Sequence, residues 1–392
     1  MEPGHDERGR AAHPEHVGAP LLPLGSAAFV LFGVVLVLLG TCHAGLTASL
    51  ELDHMAFGLL GSALSFGIGG GVLIAGPLVD RFPRRPTFLA STLIVAAALG
   101  SVDAHMSFTR AAVHVAVMGF GAGIFDTLLN AVTVERWGEH SVRPMAWLHA
   151  MVPAGAIATP WLVAYAGGSG EWVFLFRCVG GAFLALSCWV AAVRMPPPAN
   201  EPAAPDRSGW APFLRPAFLA LAVVGLAYVG LEAALSMFAV PYATLGLGLT
   251  EAHGQRAISA LWLGVLAGRL LMTLLRDPLG ARAIALSGVA GALVIAGAEV
   301  IGMRQVELMM GACGLALSGV FPLMVALAGQ AVPEARGKAV GLVAGLGSVG
   351  GFALPPLTGA LADGFGIGFA FLSLSAWALL IAAGGRVAQL RA

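Results

Sequence analysis

Apolar residues run through this chain in long blocks, cut by short polar clusters. The blocks fall at 25–49, 56–79, 87–104, 109–134, 144–166, 172–193, 216–241, 256–275, 283–301, 306–331, 339–362 and 367–385. Each is close to the roughly 20 residues an α-helix needs to cross a bilayer. Backbone groups in hydrocarbon must be satisfied within their own segment, so each block predicts a helix. The first block is too long for a cleavable signal and follows a polar tail. The predicted fold is an all-α membrane protein of twelve transmembrane helices.

Composition sharpens this reading. The chain has 392 residues, 58% of them hydrophobic and only 11% charged, with a mean hydropathy of +0.86. Soluble domains carry about 25% charged residues, and a folded surface in water needs polar cover. A soluble enzyme and a disordered scaffold are thereby excluded. The formal net charge of +0 leaves no basic field for nucleic acid. Cys42, Cys178, Cys188 and Cys313 sit in apolar blocks without CxxC spacing, which suits small packing residues. Cys42, His43, Met145, His149, Met151 and Met237 include soft metal ligands, but they form no Met-xxx-Met pair or His tract. Neither a metal site nor a cofactor is expected. No HExxH, GxSxG or Walker run supports catalysis.

Arg and Lys set the expected orientation. With the N-terminus inside, sixteen of the 21 fall on the inner side and three, Arg110, Arg256 and Arg304, on the outer side. Arg177 and Arg269 lie within spans. This bias places both termini in the cytoplasm.

The longest internal polar stretch, residues 195–215, is rich in proline and divides six blocks from six. The expected organisation is a cytoplasmic tail (1–24), a six-helix bundle (25–194), a linker (195–215), a second six-helix bundle (216–385) and a short cytoplasmic tail (386–392). An offset of about 195 residues brings Gly119 onto Gly314, Arg143 onto Lys338, Gly155 onto Gly350 and Pro160 onto Pro355. An offset of 197 brings Asp80 onto Asp277 and Arg85 onto Arg282. Two pseudo-symmetric bundles of this kind are the plan of a rocking transporter, with its substrate site at mid-membrane between the halves.

Ionisable residues inside the blocks mark a pathway, since a mid-bilayer charge costs at least ~2.5 kcal/mol. Gly119, Gly123, Asp126, Asn130 and Thr133 share one helix face. A carboxylate there suits proton transfer or binding of a solute hydroxyl. Glu232 shares a face with Gly225, Tyr228 and Ser236. His43, one turn from Gly40 and Thr47, and His149, ahead of Pro153, are candidate donors or proton relays. Trp147, Trp161, Tyr228, Tyr242 and Trp262 offer aromatic surface to a solute or to the membrane interface. Asp126 and Glu232 are the expected proton-coupling acids. His43, Thr47, Asp126, Asn130, His149, Tyr228, Glu232 and Trp262 form the expected substrate-binding set.

The loop after the second block reads Gly76-Pro77-Leu78-Val79-Asp80-Arg81-Phe82-Pro83-Arg84-Arg85. It resembles the G-x-L-(A/V)-D-R-x-G-R-(K/R) signature of the major facilitator superfamily, with Pro83 in place of the usual glycine. The resemblance implies a conformational gate of Gly76, Asp80, Arg81, Arg84 and Arg85. Asp80 would pair across the seam in the outward-facing state, while the arginines hold the loop at the anionic leaflet. Arg269, in the weaker second copy, is assigned to the gate. Asp126, Asn130, His149, Gly155, Pro160, Gly230, Glu232, Trp262, Gly264, Gly268 and Arg269 also resemble motifs of the fucose:proton symporter branch, although His43 stands where the fucose carrier has an acid. That branch implies proton-coupled uptake of a sugar or similar small polar solute. The opposing reading is a proton-coupled efflux antiporter for small organic molecules, whose G-x-x-x-G-P run is matched badly by Thr159 before Pro160. The expected partners are a small solute, a proton and the lipid bilayer, and the expected state is a monomer in a bacterial cytoplasmic membrane.

Overall fold

The computed structural model describes residues 21–195, 209–274 and 280–391 of the chain. Every predicted block is helical. The first half contains α1 (Leu21–Thr41), α2 (His43–Leu50), α3 (His54–Arg81), α4 (Arg84–Gly100), α5 (Phe108–Trp137), α6 (Val142–Tyr165) and α7 (Trp172–Ala192). The second contains α8 (Pro216–Pro241), α9 (Glu251–Thr273), α10 (Ala281–Val300), α11 (Val306–Leu317), α12 (Val320–Ala331), α13 (Arg336–Phe365) and α14 (Ile367–Arg391). Among the described residues, ten segments are long and apolar enough to cross a membrane unaided. The two that fall short are α4, with 17 residues, and α9, whose polar first turns and Arg269 dilute its hydropathy.

Two blocks predicted as single helices are broken. The first bends at Cys42 (φ −94°, ψ 17°), which separates α1 from α2. The tenth bends between α11 and α12, where the Ser318 hydroxyl donates to the Leu315 carbonyl at 2.9 Å. A Ser–Gly pair at 318–319 is a common cause of such a kink. Helix α1 already includes Leu21–Leu24, ahead of the predicted block, and Leu21 and Leu24 are buried. Much of the predicted linker, residues 196–208, lies outside the described residues.

The expected pseudo-symmetry is present in the packing. In the first half α1 lies on α6, α3 on α5 and α4 on α7. In the second half α8 lies on α13, α9 on α11 and α10 on α14. The glycines matched by the offset occupy equivalent crossings. Gly155 abuts the Val30 carbonyl and Gly350 the Leu226 carbonyl, while Gly119 abuts the Leu64 carbonyl and Gly314 that of Leu261. At each crossing a side chain would collide with the neighbouring backbone, so only glycine admits the approach.

The halves meet through α3 against α13, α6 against α9, and α1 against α8. These contacts gather at one end, away from the arginine-rich loops. The Asp363 carboxylate at the end of α13 accepts the His54 N–H at 3.1 Å and the Met55 N–H at 2.8 Å. The Ser62 hydroxyl donates to the Phe352 carbonyl at 2.5 Å, Ser259 to the Ile157 carbonyl at 2.8 Å, and the Gln255 amide to the Thr41 carbonyl at 3.3 Å. Toward the arginine-rich end the helices part. A side chain at Gly76 on α3, or at Gly341 or Gly345 on α13, would meet nothing within 4 Å.

Candidate functional site between the two halves

Where the halves part, a cavity of about 280 Å³ opens between them. Both halves supply its wall. Helix α5 contributes Asp126, α6 contributes His149, α8 contributes Tyr228, Glu232 and Ser236, and α9 contributes Trp262 and Arg269. The local patterns explain the convergence. Tyr228, Glu232 and Ser236 recur every four residues and form one stripe on α8, while Trp262 and Arg269 are seven apart and share a face of α9. On α5, Gly119 and Gly123 press that face against the α3 backbone, which brings Asp126 to the edge of the packed pair and into the cavity.

The two carboxylates are held differently. Glu232 accepts the Tyr228 hydroxyl at 2.6 Å. The Arg269 guanidinium lies near enough to the same pair to act on both electrostatically. Asp126 accepts instead from the Asn130 side-chain amide at 3.3 Å, a neutral donor one turn away. His149 packs edge-on against Phe29 with ring centroids 5.2 Å apart. Three cavity-lining residues also carry a buried polar atom with no hydrogen-bond partner: the Ser236 hydroxyl, the Trp262 Nε1–H and the Arg269 Nε–H.

The structure brings some of the expected site residues together and places others apart. Asp126, His149, Tyr228, Glu232 and Trp262 all line the cavity, and Asn130 stands behind Asp126 as its partner. His43 and Thr47 are elsewhere. The bend at Cys42 carries them to the closed end, where His43 packs on Phe57 at 4.5 Å and the Thr47 hydroxyl donates back to the His43 carbonyl at 2.9 Å. Arg269 belongs to the cavity rather than to the rim, because the spacing from Trp262 turns it inward. Tyr242 is also outside, stacked on Phe371 at 3.9 Å and donating to Glu299 at 2.5 Å. Trp147 and Trp161 are exposed on the outside of the bundle.

At the arginine-rich loop, Arg81 and Arg85 are exposed. Arg84 is not available to lipid headgroups: its side chain is buried and paired with Glu135 at the end of α5. Arg85 also donates to the Ala191 carbonyl. Both arginines thus tie the first half to itself. The Asp80 side chain lies outside the described residues, as does Asp277. Ser65 on α3 and Ser348 on α13, which also line the cavity, went unread in the sequence because an isolated serine among small apolar residues carries no distinguishing pattern. Asp363 was legible only as a lone acid near a helix end.

The sequence pattern of the Major Facilitator Superfamily matches residues 22–305. This chain is a member of the Major Facilitator Superfamily. It is therefore a multi-pass membrane transporter, and its family and fold are those of transporters rather than of enzymes. It is 24% identical over 358 residues to the uncharacterized MFS-type transporter YfkL of Bacillus subtilis, covering 88% of this chain and 89% of that one. It is 25% identical to the gentisate transporter of Corynebacterium glutamicum, covering 90% of this chain and 84% of that one. Among solved structures, a bacterial homolog of the human lysosomal transporter Spinster, in an inward-facing and occupied conformation, superposes with a TM-score of 0.77 at 13% identity, covering 96% of this chain and 97% of the other. A D-xylose-proton symporter superposes with a TM-score of 0.74 at 16% identity, covering 93% and 96%. These superpositions establish the shared facilitator fold.

Proposed function

We propose that this transporter is a proton-coupled carrier that takes up a small polar solute by alternating access in a bacterial cytoplasmic membrane. The observation that carries this reading is the cavity itself: it is walled by both halves, contains an acid from each, and is sealed on one side by a seam of inter-half contacts. With the arginine-rich loops in the cytoplasm, that seam faces outward and the described state is inward-facing.

Asp126 takes the coupling proton. Its partner is a neutral amide, whereas Glu232 accepts from a phenol and has a guanidinium charge nearby. Protonation of Asp126 removes a charge from the cavity without dismantling the cluster around Glu232, so solute binding and proton binding can be coupled through the shared space. Asp80 belongs to the opposite state, in which the arginine-rich ends of the halves close. Sugars and sugar-like polyols are of suitable size for about 280 Å³, and the D-xylose-proton symporter shares the fold. An efflux antiporter would use the same cavity, with proton entry driving the organic molecule outward.

The test is uptake by proteoliposomes against a panel of sugars and small acids, with and without an imposed pH gradient. Accumulation that follows the gradient is expected for the native chain. Asp126→Asn should abolish accumulation while leaving exchange of labelled for unlabelled solute. Full accumulation in that variant overturns the assignment of Asp126, and export down the inward proton gradient overturns the direction.

A further inference from the structure

The unsatisfied groups in the cavity have a common chemical character. Arg269 contributes a guanidinium whose Nε–H has no partner, Trp262 contributes an unpaired indole N–H, and Ser236 an unpaired hydroxyl. The indole and guanidinium donate only. All three belong to residues lining one cavity, on the facing stripes of α8 and α9. The Glu232 carboxylate in the same cavity is already engaged on one oxygen by the Tyr228 hydroxyl at 2.6 Å. A polar group left unpaired in a low-dielectric site costs free energy, so this half of the cavity is built to receive an acceptor. A neutral polyol brings donors and acceptors in equal measure. A carboxylate brings acceptors alone, and its two oxygens match the guanidinium fork.

We propose that the solute selected by this cavity is a small organic carboxylate, received by the Arg269 guanidinium, whose Nε–H is unpaired. The inference rests on the carrier reading above and narrows it to a class. Phe32 and Phe321, together with the Tyr228 ring, give the body of such a solute an apolar wall. Glu232 stays on the Tyr228 hydroxyl and balances the Arg269 charge from nearby, leaving the guanidinium free to pair with the solute. Trp262 and Ser236 supply the remaining donors. The guanidinium has a carboxylate near it in both conditions, so neither the empty nor the loaded carrier moves a bare cation through the membrane, and the extra negative charge of the solute calls for the proton that travels with it.

Matched pairs of solutes test the class. Purified full-length protein in detergent is titrated with D-glucuronate against D-glucose, nicotinate against nicotinamide, and salicylate against salicylamide. Binding is read from thermal stabilisation and from the change in tryptophan fluorescence. At least one carboxylate should bind about tenfold or more tightly than its neutral partner, the discrimination expected of one charge-assisted contact. Arg269→Gln should erase that preference. Should the arginine variant fail to fold, Glu232→Gln provides the second arm: with a negative charge removed from the same cavity, carboxylate affinity should rise severalfold while the neutral solutes change little. Neutral members binding as well as their carboxylates, a preference that survives Arg269→Gln, or no response to any of the six compounds overturns the inference. Gradient-driven accumulation of D-glucose with no carboxylate binding would leave the carrier reading standing and remove this one alone.

Discussion

Position on a helix decides what each ionisable residue does in this molecule. Asp126 and Glu232 are both intramembrane acids with small or aromatic neighbours on their own face, yet one accepts from an amide and the other from a phenol, with an arginine charge nearby. Their substitutions should therefore differ in kind. Asp126→Asn is expected to lose gradient-driven accumulation and keep exchange, whereas Glu232→Gln is expected to change solute affinity first. Proteoliposome accumulation and equilibrium binding, measured on both variants, separate the two. Packing positions are equally specific. A β-carbon at Gly155 would collide with the Val30 carbonyl, so Gly155→Val should force α1 and α6 apart. Overpacking of this kind costs about 1–3 kcal/mol, to be read as a lowered midpoint of thermal unfolding in detergent.

Elements carry the conformational argument. Helix α3 reaches from the closed end, where Asp363 holds its first N–H groups, to the open end, where Gly76 is free of neighbours. A carboxylate at a helix N-terminus is favoured both by its hydrogen bonds to orphan N–H groups and by the helix dipole. Here that carboxylate comes from the other half of the molecule, so the cap doubles as a clasp. Losing a cap costs about 0.5–2 kcal/mol, enough to shift a two-state balance severalfold. Asp363→Ala is expected to loosen the closed end. With the exposed Cys178 and Cys188 replaced by serine, a cysteine introduced at buried Ser62 should react faster with a maleimide in the Asp363→Ala background. An unchanged labelling rate would show that the clasp does not contribute to closure. The breaks at Cys42 and at 318–319 also belong to this scale. The first removes His43 and Thr47 from the cavity. The second re-aims the chain after α11, and Phe321 on α12 reaches the cavity wall.

At the scale of the whole molecule, the seam and the cavity predict reciprocity. A cysteine at Gly345, on the open side, should label readily in the absence of solute, and one at Ser62 should be protected. Conditions that drive the carrier to its other state should reverse both rates together. Asp80→Asn should hinder that reversal, keeping Gly345 accessible. Labelling that changes at one end alone would contradict rocking of two rigid bundles.

How much of this was legible beforehand differs by level. The twelve helices, their grouping and the repeat could be read from apolar block lengths and from glycines at a fixed offset, because lipid leaves the backbone no alternative to a helix and tight crossings admit no side chain. The acids of the cavity were legible for the same reason, since a carboxylate in an apolar run has to face protein or water. The role of Arg269 was not. Its spacing from Trp262 puts the two on one face of α9, but the packing of α9 against α6 and α8 decides that this face meets Tyr228 and Glu232. His43 misled because depth along a predicted helix is informative only if the helix is continuous. The amino-acid sequence by itself determined that this protein spans a membrane, that it does so in two similar halves, and that acids lie within its apolar spans. The tertiary structure alone decided which of those charges meet, which end of the seam is shut and what is left unpaired in the space between. Periodicity fixes the face of a single helix, whereas a meeting of faces depends on crossing geometry set by residues hundreds of positions apart.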